Sequence, residues 1–137
     1  MSTLQFKKIG RAWFPLETVD IRVHCVVDEP FYERNSKKYL NIGLHENTVK
    51  LVEKIHQDSN KYLKTTHIVP VLFDNVLKVK IPWRYNRVTC KVNGPKGLQS
   101  LNKGDVINAT IRFCGVWSSS NDYSGVSWKM IEVTSES

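Results

Sequence analysis

The sequence predicts a mainly β chain: a small barrel or rolled sheet of short strands, with one α-helix from about 47 to 62. Three observations predict it. Several short segments alternate apolar and polar residues, the pattern of strands with one buried face. A single segment, opening at Asn47, carries apolar residues at helical spacing. Turn-forming groups such as Asn93-Gly94-Pro95-Lys96-Gly97 separate the segments. The 137 residues are expected to form a single domain, 1–137. A composition of 41% hydrophobic and 24% charged residues is that of a globular chain.

The elements follow in order. The start is read as irregular, with the cluster Trp13-Phe14-Pro15-Leu16 packed over a barrel end. Ile21 to Val27 alternates, with Ile21, Val23, Cys25 and Val27 on one face, and Asp28-Glu29-Pro30 ends that strand. Pro30 to Lys38 reads as a polar loop carrying Phe31, Tyr32, Arg34, Lys37 and Lys38, and Tyr39 to Leu44 as a short strand. In the helix, Val49, Val52, Ile55 and Ser59 face inward, Glu53, Lys54, Asp58 and Lys61 face outward, and Asn47 is the N-cap. Its mixed charge marks a plug or side cover. Thr66 to Phe73 is a strand interrupted, or held at an edge, by Pro70.

Val76 to Ile81 and Arg87 to Val92 are the next two strands. Val106 to Phe113 points Ile107, Ala109, Ile111 and Phe113 inward, Gly115 marks a bulge, and Ser118 to Ser124 is a polar loop. Val126 to Val133 closes the chain and places Trp128 in the core with Val126 and Met130. The strand count is six or seven.

Charge carries the functional signal. The chain has 20 basic and 13 acidic residues, a net charge of +7. Seven of the basic residues lie between Asn75 and Gly104, where no Asp or Glu occurs; the rest of the chain has 13 of each sign. A single-sign block in an otherwise neutral chain implies a polyanionic partner.

Alternation sets the geometry expected of that block. Lys78 and Lys80 share the face opposite Leu77, Val79 and Ile81; Arg87, Thr89 and Lys91 share the face opposite Val88, Cys90 and Val92. A four-residue loop, Trp83-Arg84-Tyr85-Asn86, then sets Lys80 across from Thr89 and Lys78 across from Lys91. Like charges facing each other destabilise a ladder, and a bound phosphate backbone would relieve them. Trp83, Arg84 and Tyr85 at the tip supply rings for stacking bases beside cations that follow phosphates, the composition suited to a single strand. Arg112 faces outward with Asn108 and Thr110 as a phosphate contact. Trp117 opens a Ser/Asn loop and is read equally as base-stacking or structural. The alternative for Trp13 is also a stacking role.

Four pieces, in order, resemble the small OB-fold single-stranded DNA-binding proteins of phages and large DNA viruses, over roughly residues 75–133. They are Leu77-Lys78-Val79-Lys80-Ile81-Pro82, Leu101-Asn102-Lys103-Gly104-Asp105, Cys114-Gly115-Val116-Trp117 and Gly125-Val126-Ser127-Trp128-Lys129. The resemblance implies an OB-like barrel of five to seven strands and binding of single-stranded DNA without sequence preference, in replication or recombination. By position it makes Lys78, Lys80, Arg84, Arg87, Trp117 and Lys129 contacts. It also implies a helix between the third and fourth barrel strands, whereas the patterns place two strands ahead of it. Many members recruit replication proteins through a long acidic tail. This chain ends Glu132-Val133-Thr134-Ser135-Glu136-Ser137, so tail-mediated recruitment is not expected.

Other classes lack their signatures. His24, His45, His56 and His67 have no metal-ligand spacing, and Cys25, Cys90 and Cys114 read as reduced core residues. No phosphate loop or nucleophile elbow occurs. Asp74 and Asp105, which flank the basic block, read as turn residues. No catalytic residue, metal or cofactor is expected. No apolar run reaches the ~18 residues of a membrane span, and Met1 to Lys8 is too polar for a secretory signal, so an intracellular protein of cytoplasm or nucleus is expected. The runner-up function is a protein-interaction module, a viral accessory or structural protein docking on an acidic partner. An RNA-binding barrel and homo-oligomerisation stay open.

Overall fold

In the computed structural model, which describes residues 3–64 and 66–136, the alternating segments pair into a ring of strands around one core. The elements are β1 (Phe6–Ile9), β2 (Ala12–Pro15), β3 (Asp20–Arg34), β4 (Lys37–Gly43), α1 (Glu46–Ser59), β5 (His67–Val69), β6 (Leu72–Phe73), β7 (Val76–Ile81), β8 (Trp83–Arg84), β9 (Arg87–Val88), β10 (Lys91–Asn93), β11 (Val106–Ser118) and β12 (Tyr123–Ser135). A short 3₁₀ turn, Asn60–Tyr62, follows α1. The ring runs β3-β4-β7-β12-β11 and returns to β3. Every contact in it is antiparallel except β7–β12, which is parallel and touches at one bridge, Lys129↔Lys80. The ring is therefore OB-like and not a clean barrel: it is thin along one seam.

Inward residues of the five ring strands fill the core. Val23, Cys25, Val27, Leu40, Ile42, Leu77, Val79, Ile81, Ile107, Ala109, Ile111, Phe113, Trp128 and Met130 are all buried, as their alternation predicts. From α1, Val52 and Ile55 join them. The helix lies between the second and third strands of the ring, where the sequence pattern put it and the OB resemblance did not.

The long strands carry more residues than alternation alone marks. Twelve strands form among the described residues instead of six or seven: β1, β2 and β8 arise where no strand was expected, and Pro70 and Thr89-Cys90 each break one segment into a pair. The stretch 6–15 is not irregular: it forms β1 and β2. Gly10, at φ 62°, turns β1 back onto β2. Likewise Pro30 does not end β3. Register shifts between Val27 and Glu29 and between Glu29 and Tyr32 absorb it, since a bulge needs no N–H from every residue. The expected loop at 30–38 is thus a hairpin, closed by Asn35 and Ser36, both at positive φ.

Two details of α1 also differ. His45, not Asn47, is the N-cap, and its side chain makes no capping bond. Asp58 turns inward: its side chain is 8% exposed, accepts a 3.0 Å hydrogen bond from the Leu4 N–H and pairs with Lys54 at 2.6 Å. It ties the N-terminal segment to the helix.

One core contact makes stability depend on pH. The buried Trp128 indole N–H donates to Nε2 of His56 at 2.9 Å. An indole can only donate, so Nε2 must stay unprotonated. Burial pushes His56 down from 6.5 to about 4. A histidine whose folded pKa lies below its unfolded one contributes stability that is full above the unfolded pKa and declines as pH falls toward the folded one. Urea denaturation should show up to about 3 kcal/mol lost between pH 6.5 and 4. His56→Gln should abolish most of that decline; an unchanged decline in the variant would assign it to other groups.

Candidate nucleic-acid interface

The thin seam is also where the outward side chains of β4, β7, β11 and β12 meet. On one side of the Lys80–Lys129 bridge a cleft is lined by Lys37, Tyr39, Lys78, Val69 and Trp117. On the other a second cleft is lined by Pro82, Trp83, Arg84, Thr89, Cys114 and Lys129. Lys80, Ser127 and the edge of Trp128 line both, so the two form one groove along β7 and β12. Among the described residues, no acidic one lines either part.

The cations in this groove crowd one another. Lys80 and Lys129 stand directly opposite in the ladder. The like-charge pair expected, Lys78 across from Lys91, does not form; Lys80 opposite Lys129 is a different one. Lys78 Nζ lies 4.2 Å above the Tyr39 ring, a cation–π contact. Burial first, then Arg34 and Lys37, lower the pKa of Lys78. Burial first, then Lys37 and Lys129, lower that of Lys80, and Cys114 opposes them. Neither lysine has an ion-pair partner among the described residues. Each bears desolvation and repulsion with no carboxylate beside it among the described residues, and a bound anion would supply the missing counter-charge.

Rings sit beside these charges. Tyr39 packs against Tyr32 with centroids 5.6 Å apart, and the Tyr32 hydroxyl donates to Asn41 at 2.8 Å. Trp83 packs on Phe31 at 5.6 Å and lies under Lys38, 5.1 Å from its ring centroid. Lys38 also pairs with Glu33. Trp117 lies flat over Gly125, where a Cβ would come within 3.1 Å of the indole. The glycine thus lets the ring lie against the strand.

The tip of the basic stretch is tighter than expected. Tyr85 and Asn86, at φ 53° and 62°, form a two-residue turn, with Trp83 opposite Val88 and Arg84 opposite Arg87. This β8–β9 pair is a separate two-stranded sheet. β7 instead pairs with β4, placing Lys78 opposite Asn41 and Lys80 opposite Tyr39, so Lys78 does not face Lys91 and Lys80 does not face Thr89. Lys91 lies on β10, 3.6 Å from Glu132 and outside the groove lining. Arg112 is held by Asp20 through two bonds of 2.7 and 3.0 Å, and this bond lowers the Asp20 pKa. Tyr85, 83% exposed, and Arg87 stand at the hairpin tip. Trp13 faces inward onto Tyr62, centroids 4.4 Å apart, as the packing reading of that cluster has it.

Of the residues singled out in sequence, the groove gathers Lys78, Lys80, Trp83, Arg84, Trp117 and Lys129, with Tyr85 and Arg87 at its rim. Lys91 and Arg112 are ion-paired elsewhere. Sequence reasoning misses Tyr39 and Lys37. Their signal is present, since Phe31 to Tyr39 interleaves rings and cations as Trp83 to Arg87 does, but Glu29 and Glu33 mask it.

Asp105 accepts from the Asn102 N–H and pairs with Lys96, both at 2.8 Å, and Asp74 sits at positive φ; each does turn chemistry. Burial pushes the Cys25 thiol up to about 12 and that of Cys90 to about 11. No cluster of three metal-ligating side chains occurs among the described residues, and no described helix is long and apolar enough to cross a membrane.

No family model and no curated protein matches the chain in sequence. A solved structure shares the fold. It is the "Single-stranded DNA-binding protein from bacteriophage Enc34, C-terminal truncation", similar at a TM-score of 0.54 and 14% identity, over 95% of this chain and 92% of that one. At that identity the likeness is one of architecture.

Proposed function

We propose that this protein, acting as one domain, binds single-stranded DNA without sequence preference along the β7–β12 groove, in replication or recombination. The observation that carries the reading is the acid-free groove in which Lys80 stands opposite Lys129 and Lys78 is repelled by Arg34 and Lys37, none of the three lysines having an ion-pair partner among the described residues. Phosphates would occupy that row, and bases would stack on Trp117, Trp83 and Tyr39. Stacking tolerates every base, which gives affinity without a code. The location supports this too: β4 and β7 are the second and third strands of the ring, the face on which OB-type barrels take oligonucleotides. The similar phage structure is a single-stranded DNA-binding protein by name. RNA would meet the same rings and cations, so DNA preference rests on that likeness.

Ultraviolet crosslinking to oligo-dT, with the modified peptides mapped, tests the location. Adducts are expected on Trp117, Trp83 or Tyr39. Adducts confined to Trp13 or Tyr123 would move the site. As a control, Lys91→Ala should change oligo-dT affinity by no more than about twofold, because Lys91 is already ion-paired at the surface. A larger drop would bring β10 into the interface.

A further inference from the structure

We infer that the bound strand does not end at Trp117 but continues onto the outer face of the β1–β2 hairpin, with Lys7 on that face and Arg11 in the turn that joins the two strands as phosphate contacts, and Phe14 as a stacking ring. This rests on the reading of the groove given above.

The register carries it. Trp13 pairs with Val116, and both point inward. Residues on either side of Trp13 therefore point outward, onto the face that carries Trp117. Antiparallel continuation sets Ala12 beside Trp117 and Phe14 beside Gly115; the Phe14 Cα indeed lies 3.2 Å from where a Gly115 Cβ would be. Across β1, Lys7 faces Phe14 and Ile9 faces Ala12. Groove and hairpin thus form one surface: Lys80, Trp117, Phe14, Lys7.

Its chemistry matches the groove. Phe14 is 37% exposed and Ile9 57%. Lys7 and Arg11 are exposed, with no ion-pair partner among the described residues. The first acidic residue of the chain is Glu17, so residues 1–16 are a second acid-free basic and aromatic window, which the balanced charge of the rest of the sequence conceals. The hairpin is an addition to the ring, and the ring does not need its outer face. Lys8 is different: it lies over Trp13, on the inner side.

The test compares oligo-dT of about 6 nucleotides, which the groove alone can hold, with oligo-dT of about 16. Lys7→Glu with Arg11→Glu should leave the short oligomer's affinity within about twofold and weaken the long one at least about tenfold, since only the longer one releases counterions there. Replacing both by alanine should lower the long oligomer's salt slope by about 1.4, at roughly 0.7 per single-strand phosphate contact. Unchanged binding of the long oligomer, or equal weakening on both lengths, would overturn the inference and leave the groove standing. Failure of the wild type to bind either length would remove the groove reading, and this one with it. Circular dichroism of each variant should match the wild type, because neither side chain is bonded to another described residue.

Discussion

Lys78→Glu combined with Lys80→Glu is expected to weaken oligo-dT binding at least about a hundredfold, at roughly 1.5–3 kcal/mol for each charged hydrogen bond to phosphate that disappears. The same variant should keep its fold. Lys78 and Lys80 point away from the core, and neither has an acidic partner among the described residues to leave stranded. Glutamate there would instead sit among Arg34, Lys37 and Lys129, the cations that now repel the lysines. Stability in urea should therefore stay within about 1 kcal/mol of wild type, relieved repulsion offsetting the missing cation–π attraction of Lys78 to Tyr39. Abolished binding with retained stability marks a functional row. Near wild-type affinity would place the nucleic acid elsewhere, and collapse of both would make the lysines structural.

The largest stability effect is expected at Gly115. Its φ is +102°, and a Cβ there would lie 2.1 Å from the Trp13 carbonyl oxygen. That atom is backbone, so no side chain can swing away. Gly115→Ala should cost at least about 2 kcal/mol in urea denaturation, from positive-φ strain plus separation of β2 from β11. Gly10→Ala is the comparison. Gly10 has φ +62°, but a Cβ added to it would meet nothing within 4 Å, so strain alone, about 1 kcal/mol, remains. Equal costs at the two positions would mean that the close approach of β2 contributes nothing.

Gly115 also shows what sequence can carry. A lone glycine in an alternating strand reads as a bulge, and the register does shift between Phe113 and Gly115. Inward faces are legible for the same reason, because burial on one side writes itself as period two. Trp128 falls to the core by that rule. Pairing partners are not legible. Lys78, Lys80 and Lys91 are close in sequence, and a local hairpin is the simplest way to join them. The chain instead pairs β7 with β4, some forty residues earlier, and sends β10 to β12. Nothing in the alternation of a strand names its neighbour.

The charge block shows the complementary limit. As a stretch of sequence it is uniform; in space it divides. Lys91 and Lys96 leave to pair with Glu132 and Asp105, while Lys37 and Lys129 arrive from outside the window. The groove draws on β4, β5, β7, β8, β11 and β12, and of these only β7 and β8 lie in the basic block. Segments 1–16 and 31–39 hide their contribution for opposite reasons. The first is too short in its alternation to declare a face, and the second has Glu29 and Glu33 beside and among its cations and rings.

The most direct measurement is a titration of the protein with oligo-dT at two salt concentrations, followed by tryptophan fluorescence. Trp117 and Trp83 line the groove, so a bound base should quench them. Five groove cations, Lys37, Lys78, Lys80, Arg84 and Lys129, set an expected slope of about −3.5 in log affinity against log salt for an oligomer short enough for the groove alone to hold, at roughly 0.7 per phosphate neutralised on a single strand. Quenching at low salt that weakens with that steepness is the expected result. No quenching at low salt, or binding indifferent to salt, would contradict a phosphate-binding groove between β7 and β12.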